Sequence, residues 1–296
     1  MSQVFFSAKA YAEGAQEVDT IEDVIAAVAP YQGKYGFYSA PVIRAHIAAG
    51  QAYLSAPQTV QMHRISGQGS GAVYTRERAR LHEEMLEGLS ASPFQKKPPR
   101  LILLAGRSGS GKTSFLKPRF PGIAYVDTDA FVKRFPEYNG LNAWTFHEES
   151  VDVAEKALEI CRTHRISALV ETTLGTQERT LNRIRRFTAA GYQVELHYVY
   201  VPPFESACRA LKRFLDEGPS GRYLPISRLL TQTAQEAHFD VLKTLVDRWG
   251  FYANPGANKG LISVVEGMHR PPCQTDRVPF CVPPERPASG SRTCFE

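Results

Sequence analysis

No apolar run in the chain approaches the roughly 20 residues needed to span a bilayer. The opening stretch, MSQVFFSAKAYAEG, lacks a basic start followed by a long apolar segment. Neither a membrane span nor a signal peptide is expected, and the expected location is cytoplasmic, in the producing cell or in a target cell. Charge of one sign is also scarce. The net charge is +5 over 296 residues, and the basic residues are scattered rather than run together. Anionic metabolites are therefore admissible ligands, while nucleic acid is not expected. Cysteines number only 5. Cys161 and Cys208 fall in helix-like segments and read as small buried apolar residues. Cys273, Cys281 and Cys294 match no zinc spacing, with only His269 near them, and read as incidental thiols. Core material is not lacking. Hydrophobic residues make up 43% and charged residues 22%, an ordinary globular balance.

Three zones separate by texture. Residues 1–73 hold short helix-like pieces. In TIEDVIAAVAPY, Thr20 reads as an N-cap with Asp23 three residues on, and Ile21, Val24, Ile25 and Val28 share one face. SAPVIRAHIAAGQAYL starts at Ser39, with Pro41 near the first turn. SGQGSG, residues 66–71, reads as a flexible joint; its G-x-G follows no strand, so a dinucleotide fingerprint is not expected there. Residues 74–267 alternate strand with helix. Strands are expected at 101–105, 123–127, 167–171, 194–201 and 261–265. A helix over SVDVAEKALEICRTH has Val151, Val153, Ala154, Leu158 and Cys161 available for its inner face. ERTLNRIRRFTAAG stops at Gly191, and one helix is expected from Pro225 to Gly250. This alternation predicts an α/β fold, with a mostly parallel sheet covered by helices on both faces. Residues 268–296 are Pro-rich without periodicity and read as a poorly ordered tail.

GRSGSGKTS, residues 106–114, completes G-x-x-x-x-G-K-[ST] directly after the apolar strand LILLA. This is the context a phosphate-binding P-loop requires. Gly106, Gly109, Ser110, Gly111, Lys112, Thr113 and Ser114 are the candidate nucleotide-binding residues. Glycines admit backbone N–H groups to phosphate oxygens, Lys112 reaches the β- and γ-phosphates, and the Thr113 hydroxyl can hold Mg²⁺. The donor is ATP or GTP. Pro118 must end the following helix early.

Asp127 and Asp129 in YVDTDAFVKRFPEY stand at the end of the second strand, at the edge where open α/β sheets bind ligands. A carboxylate there orients Mg²⁺ or takes a proton from an acceptor hydroxyl; the alternative is helix capping. Glu171, Thr172 and Thr173 in LVETTLGT end the third strand. An Asp ending a strand would suit a motor or switch NTPase, whereas a Glu followed by two threonines suits a polyhydroxylic substrate. Arg209 and Arg213 lie four apart on an expected helix, and Arg222 follows a Gly/Pro/Ser loop. Arginines can cover the charge that develops on a transferring phosphoryl group. Equally, Glu205–Arg209 and Arg213–Glu217 have the i,i+4 spacing of any solvated helix face.

Taken in order, these pieces resemble the zeta-toxin family, the toxins of bacterial epsilon–zeta toxin–antitoxin pairs, over about residues 74–267. RERARLHEEMLEGL is similar to the helix before the family's P-loop. DTDAFVKRFPEY fits its D-x-D-x-F pattern through Asp127, Asp129, Phe131 and Pro136, with Phe135 in place of a histidine. VETTLGT aligns with V-E-G-T-x-R through Glu171 and Thr173, with Thr172 for the glycine and Gly175 for the arginine. Arg213 in LKRF aligns with the arginine of E-R-Y, and Arg222 sits in an R-x-x-P. The resemblance implies a P-loop NTPase-like fold and Mg²⁺-dependent phosphoryl transfer from ATP to the 3′-hydroxyl of the amino sugar in UDP-N-acetylglucosamine. It implies that Lys112 and Thr113 hold triphosphate and metal. Asp129 becomes the base or orienter for the sugar hydroxyl, Glu171 and Thr173 position the substrate, and Arg213 and Arg222 act catalytically. Some zeta-like effectors phosphorylate NAD instead, so a dinucleotide is the alternative acceptor. A nucleotide-hydrolysing module that regulates a partner is the alternative of another class. Residues 1–73 exceed a minimal zeta toxin and could inhibit in cis, receive an antitoxin or serve delivery.

Overall fold

The computed structural model describes residues 6–13, 20–33, 36–89, 98–218, 221–256 and 260–269. Beyond His269, the Pro-rich tail and its three cysteines lie outside these residues. The chain begins with α1 (Ala8–Glu13), α2 (Ile21–Val28), a short hairpin of β1 (Gln32–Gly33) and β2 (Gly36–Phe37), and α3 (Ala40–Ala52). There follow α4 (Thr59–His63), a second small hairpin of β3 (Arg64–Ser66) and β4 (Val73–Tyr74), and α5 (Arg76–Leu86). The α/β core then comprises β5 (Arg100–Gly106), α6 (Lys112–Phe115), β6 (Ala124–Val126), α7 (Thr128–Val132), α8 (His147–Thr163) and β7 (Ala168–Thr172). It continues through α9 (Gln177–Ala189), β8 (Gln193–Tyr200), α10 (Pro203–Glu217), α11 (Ile226–Leu230), α12 (Gln235–Leu242), β9 (Arg248–Ala253) and β10 (Ile262–Met268).

The main sheet has the order β10-β9-β8-β5-β7-β6. Strands β6 to β9 and β5 pair in parallel, and β10 runs antiparallel against β9 at one edge. Strand β5 lies in the middle, where the order of connection reverses. Such a switch point opens a crevice beyond the carboxyl ends of the strands. The period-two alternation of β5 explains its central place. Leu101, Leu103 and Ala105 join one core with Val153, Ala157 and Leu158 of α8 and with Phe187 of α9. Ile102 and Leu104 face the opposite way, into a smaller core with Leu116, Leu169, Val199 and Tyr252. Of the inner face expected for α8, Val153, Ala154, Leu158 and Cys161 are fully buried and Val151 half-buried.

One expectation fails clearly. The segment 225–250 is not a single helix: α11 and α12 are separate, a 3₁₀ turn spans Lys243–Leu245, and β9 begins at Arg248. Gly250 is no helix stop. It lies within β9, where a Cβ would come 2.4 Å from the Tyr252 hydroxyl. Trp249 and Phe251 enter the main core from this strand, and Asp247 fastens it by accepting the Val194 N–H at 2.7 Å. Tertiary burial of alternating aromatics has overridden the helical reading.

Residues 66–71 are likewise no free joint. The Gly69 N–H donates to Asp152 Oδ1 of α8 at 2.6 Å, and the Tyr74 hydroxyl donates to Oδ2 of the same carboxylate at 2.7 Å. Beside it Arg78 and His82 of α5 both reach Glu149, at 2.7 Å each. The N-terminal pieces are packed as a layer. Thr20 caps α2, its hydroxyl accepting the Asp23 N–H at 3.1 Å. Val24, Ile25 and Val28 of α2 and Ile43 and Ile47 of α3 share a core with Ala207, Ala210, Leu211 and Phe214 of α10. At the opposite end, Asp240 of α12 receives the Ala8 and Lys9 N–H groups of α1 at 2.9 and 3.0 Å. No helix among the described residues is long and apolar enough to cross a membrane.

Candidate functional site

The strand β5 runs out into the glycine loop, and two of its glycines are required by close approaches. Gly106 has φ +140°, and a Cβ there would lie 2.4 Å from the Val199 carbonyl; Gly111 has φ +89° and would bring a Cβ to 2.6 Å from Asn254 Nδ2. Any L side chain would be strained at both positions. The loop is held from outside by its carbonyls. Ser206 Oγ donates to Ser108 O at 2.7 Å, Arg209 Nη1 to Gly109 O at 3.4 Å, and Asn254 Nδ2 to Ser110 O at 2.7 Å. Arg107 is buried and anchors the loop to α12: its guanidinium donates to Gln232 O at 3.0 Å and pairs with Glu236. Helix α6 has only 4 residues before Leu116 and the turn containing Pro118. So short a helix offers an anion local N–H groups rather than a long helix dipole.

Lys112 Nζ lies 3.3 Å from Arg107 O and 3.5 Å from Glu171 Oε2. Burial holds its pKa below the ordinary lysine value, opposed by Glu171 and reinforced by Arg213 and Arg222. Glu171, at the carboxyl end of β7, accepts from the Thr113 hydroxyl at 2.5 Å and the Tyr125 hydroxyl at 2.6 Å, both at Oε1. Burial works against this carboxylate, but Lys112 and the two hydroxyl bonds outweigh it and hold its pKa below the usual range. Glu171 is therefore engaged by Lys112 and Thr113 at the end of the glycine loop. Ser110 Oγ is buried with no hydrogen-bond partner among the described atoms. Thr113 and Ser114 are exposed at the start of α6.

The two aspartates divide the roles left open by sequence. Asp127 caps α7, accepting the Asp129 N–H at 2.9 Å and the Ala130 N–H at 3.2 Å. Asp129 projects from the first turn and forms an ion pair with Arg222. Burial lowers the Arg222 pKa to about 10, with Asp127 opposing the shift; the guanidinium stays protonated at neutral pH. Arg222 is steadied through its neighbour: the Tyr223 N–H bonds to Gly140 O at 3.0 Å, and the Tyr223 ring lies against Gly50 of α3. Arg213 on α10 is exposed, and its charge reaches both Lys112 and Tyr138.

Thr173 is exposed, and its hydroxyl accepts the Gly175 N–H at 3.4 Å, while Thr172 Oγ1 accepts the Leu174 N–H at 3.2 Å. A Cβ at Gly175 would meet only Thr173 Oγ1, at 3.4 Å, so the backbone there accepts a side chain without a clash at Cβ. Phe135 is buried, stacked on Phe146 with centroids 5.1 Å apart and covered by the Arg78 guanidinium.

The structure thus brings Lys112, Thr113 and Glu171 together, pairs Asp129 with Arg222, and leaves Thr173 on the surface beside them. Four supporting residues escaped the sequence reading: Arg107, Tyr125, Ser206 and Asn254. Asn254 opens an Asn-Pro-Gly turn directly after an aromatic run, a signal hidden by extending the preceding helix to Gly250. Arg209 makes the i,i+4 pair with Glu205 that its spacing suggests, and it also holds the Gly109 carbonyl, a contact the sequence reading did not foresee.

A glycine loop at the switch point of a parallel sheet, with lysine, strand-end glutamate and an aspartate–arginine pair, defines a P-loop kinase-like α/β protein. The Zeta toxin family profile matches residues 83–255, more than half of the chain, and the chain belongs to the zeta toxin family. It is 29% identical over 174 residues to Toxin PezT of Streptococcus pneumoniae serotype 4, a match covering 55% of this chain and 66% of that protein's length. Among solved structures, it resembles one from the PezAT toxin–antitoxin system of the same species, with TM-score 0.51 and 20% identity. That match covers 66% of this chain and 83% of the other. It also resembles the AvrRxo1-ORF1:-ORF2 structure with ATP, with TM-score 0.53 and 18% identity over 72% of this chain and 77% of that one. At such identities the likeness to the solved structures is one of fold.

Proposed function

We propose that this chain is an ATP-dependent phosphotransferase of zeta-toxin type that phosphorylates a sugar hydroxyl of a nucleotide sugar, the 3′-hydroxyl of UDP-N-acetylglucosamine being the first candidate. The observation that carries this reading is a set of groups gathered at the end of the glycine loop: Lys112 and Thr113 contact Glu171, Asp129 pairs with Arg222, and the charges of Arg213 and Arg222 act on Lys112. On this reading the first cluster takes the phosphates and Asp129 with Arg222 takes the acceptor.

In the transfer, the acceptor O–H gives its proton to the Asp129 carboxylate as the oxygen bonds to the γ-phosphorus. The bond to the bridging oxygen breaks, and ADP leaves. Arg222 holds the Asp129 carboxylate and, with Arg213, sets positive charge beside the transferring group. Lys112 takes the β- and γ-phosphate oxygens. Among the described residues no cluster of three or more His, Cys, Asp or Glu could hold a metal alone. The residues present do fit Mg²⁺ shared with a triphosphate: Thr113 Oγ1 and Glu171 Oε1 are hard oxygen donors 2.5 Å apart, and the carboxylate is held ionised. When bound there, Mg²⁺ neutralises phosphate charge.

NAD is a second acceptor reading, favoured by Thr172 and Gly175 standing where the family has glycine and arginine. Likeness to Toxin PezT, a protein of the PezAT toxin–antitoxin system, supports a protein antitoxin as partner, with inhibition in cis by residues 1–73 as the alternative. The decisive assay incubates the full chain with ATP or GTP, Mg²⁺, UDP-N-acetylglucosamine and NAD, and reads metabolite masses. A product one phosphate heavier than its acceptor identifies the substrate. Steady ATP hydrolysis with no phosphorylated metabolite overturns the kinase reading in favour of a regulatory NTPase.

A further inference from the structure

A cavity of about 420 Å³ abuts the glycine loop, and part of its wall does not come from the family-matched region. Its lining includes Gly109, Phe115, Arg209 and Asn254 from the kinase core, and Val28 and Tyr31 from the N-terminal layer. Asp129 and Thr173 do not line it, so it is separate from the groups proposed for the acceptor. The volume is that of an ordinary small-molecule subsite.

The chemistry of the wall restricts its occupant. Two aromatic rings in it keep large exposed areas, Phe115 at 37% and Tyr31 at 52%. Its cations are already compensated. Arg209 pairs with Glu205 and donates to the carbonyls of Gly109 and Asn254 at 3.4 Å each. Lys212 pairs with Asp216 and lies 5.5 Å from the centre of the Tyr31 ring. A second anion would find no unpaired charge there, whereas a flat uncharged ring finds faces to stack on and a fixed guanidinium plane. A nucleotide whose phosphates lie on Gly109–Thr113 carries such a ring at its other end.

The outer wall is firmly placed. Val28 is buried with Val24 and Ile25 against Ala207, Ala210 and Leu211 of α10. The same helix supplies Ser206 and Arg209 to the loop carbonyls. Helix α10 is thus clamped between the N-terminal layer and the phosphate loop.

We propose that the N-terminal layer completes the donor site, with Val28 and Tyr31 forming the outer wall of a pocket for the purine base of the bound nucleotide. This rests on the kinase reading only in placing a nucleotide at the loop; it needs no acceptor. The layer then contributes to donor affinity and base preference, and its removal costs nucleotide binding rather than releasing activity.

The test measures binding of a non-hydrolysable ATP analogue and of inorganic tripolyphosphate to the full chain, as wild type, Tyr31→Ala and Tyr31→Phe. Loss of one base-stacking ring should weaken the ATP analogue by about tenfold. Tripolyphosphate should stay within about twofold, and Tyr31→Phe should restore the affinity, because the ring face is what matters. Unchanged ATP affinity in Tyr31→Ala overturns the proposal, and so does an equal loss for both ligands. Tighter ATP binding also overturns it and makes the layer an obstructing lid. A wild-type protein that phosphorylates no acceptor yet shows the Tyr31-selective loss sinks the kinase reading and leaves this inference standing.

Discussion

Around Gly106–Thr113 the backbone is held by other elements: the carbonyls of Ser108, Gly109 and Ser110 are each taken by a side chain from α10 or from Asn254. At 172–176 the chain is held mostly by itself. Thr172 and Thr173 bond to the N–H groups two residues on, and Leu174 adopts φ +56°, with its carbonyl accepting from His238 at 2.6 Å. The first arrangement leaves almost no room for change, since added Cβ atoms at Gly106 and Gly111 would strike backbone or a fixed amide. The second leaves space at Gly175. If the proposed function holds, a donor common to many enzymes is gripped by the rigid loop, while the edge at 172–176 can vary its side chains without disturbing the fold. The departures from the family pattern at Thr172 and Gly175 fall on the permissive side.

The comparison can be broken at several points. The largest effect is expected for Asp129→Asn, which keeps the shape but removes the proton acceptor. Phosphoryl transfer should fall by about 10³-fold while ATP affinity changes less than about twofold. A parallel loss of ATP binding would move Asp129 to the donor side. Next comes Asn254→Ala, which leaves the Ser110 carbonyl without its amide. A cost of about 1–3 kcal/mol should appear as a raised KM for ATP, with KM for the acceptor unaltered; an acceptor-specific change would contradict the division of labour. Gly50→Ala reaches the acceptor side from behind, because its methyl would lie 2.4 Å from the Tyr223 ring. Overpacking there should cost about 1–3 kcal/mol, read as a lowered Tm, together with slower transfer through the displaced Arg222. A Tm within error of wild type would show that the ring has another place to go. The smallest effect is expected for Gly175→Arg. Folding should be unaffected, with Tm changed by no more than about 1 °C on this exposed loop, and kcat/KM for UDP-N-acetylglucosamine should rise. A folded variant with no gain would detach residue 175 from acceptor choice.

Much of this was legible in the chain. The strand before the loop, the loop itself and the carboxylates at the strand ends follow from short-range patterns, namely apolar runs, glycine spacing and acidic residues after a strand. The caps at Thr20 and Asp127 are equally local. Strand β9 was not legible, since Gly250 reads as a helix stop when its neighbours are considered alone. Only the packing of Trp249 and Phe251 against distant aromatics makes it a strand. The residues around 66–71 read as loose because their glycines are visible in the chain, whereas the Asp152 carboxylate that ties them down is supplied by α8, more than 80 positions away.

Sequence alone determined the α/β architecture of the core, the glycine loop and the carboxylates at the strand ends, because each depends on neighbours within a few positions. Tertiary structure decided how those groups are shared out. It set Glu171 against Thr113, made Asp127 a cap and left Asp129 to Arg222, and laid α2 beside the glycine loop. Those choices depend on contacts between residues far apart in the chain, which form only when helices and sheet bury their apolar faces together.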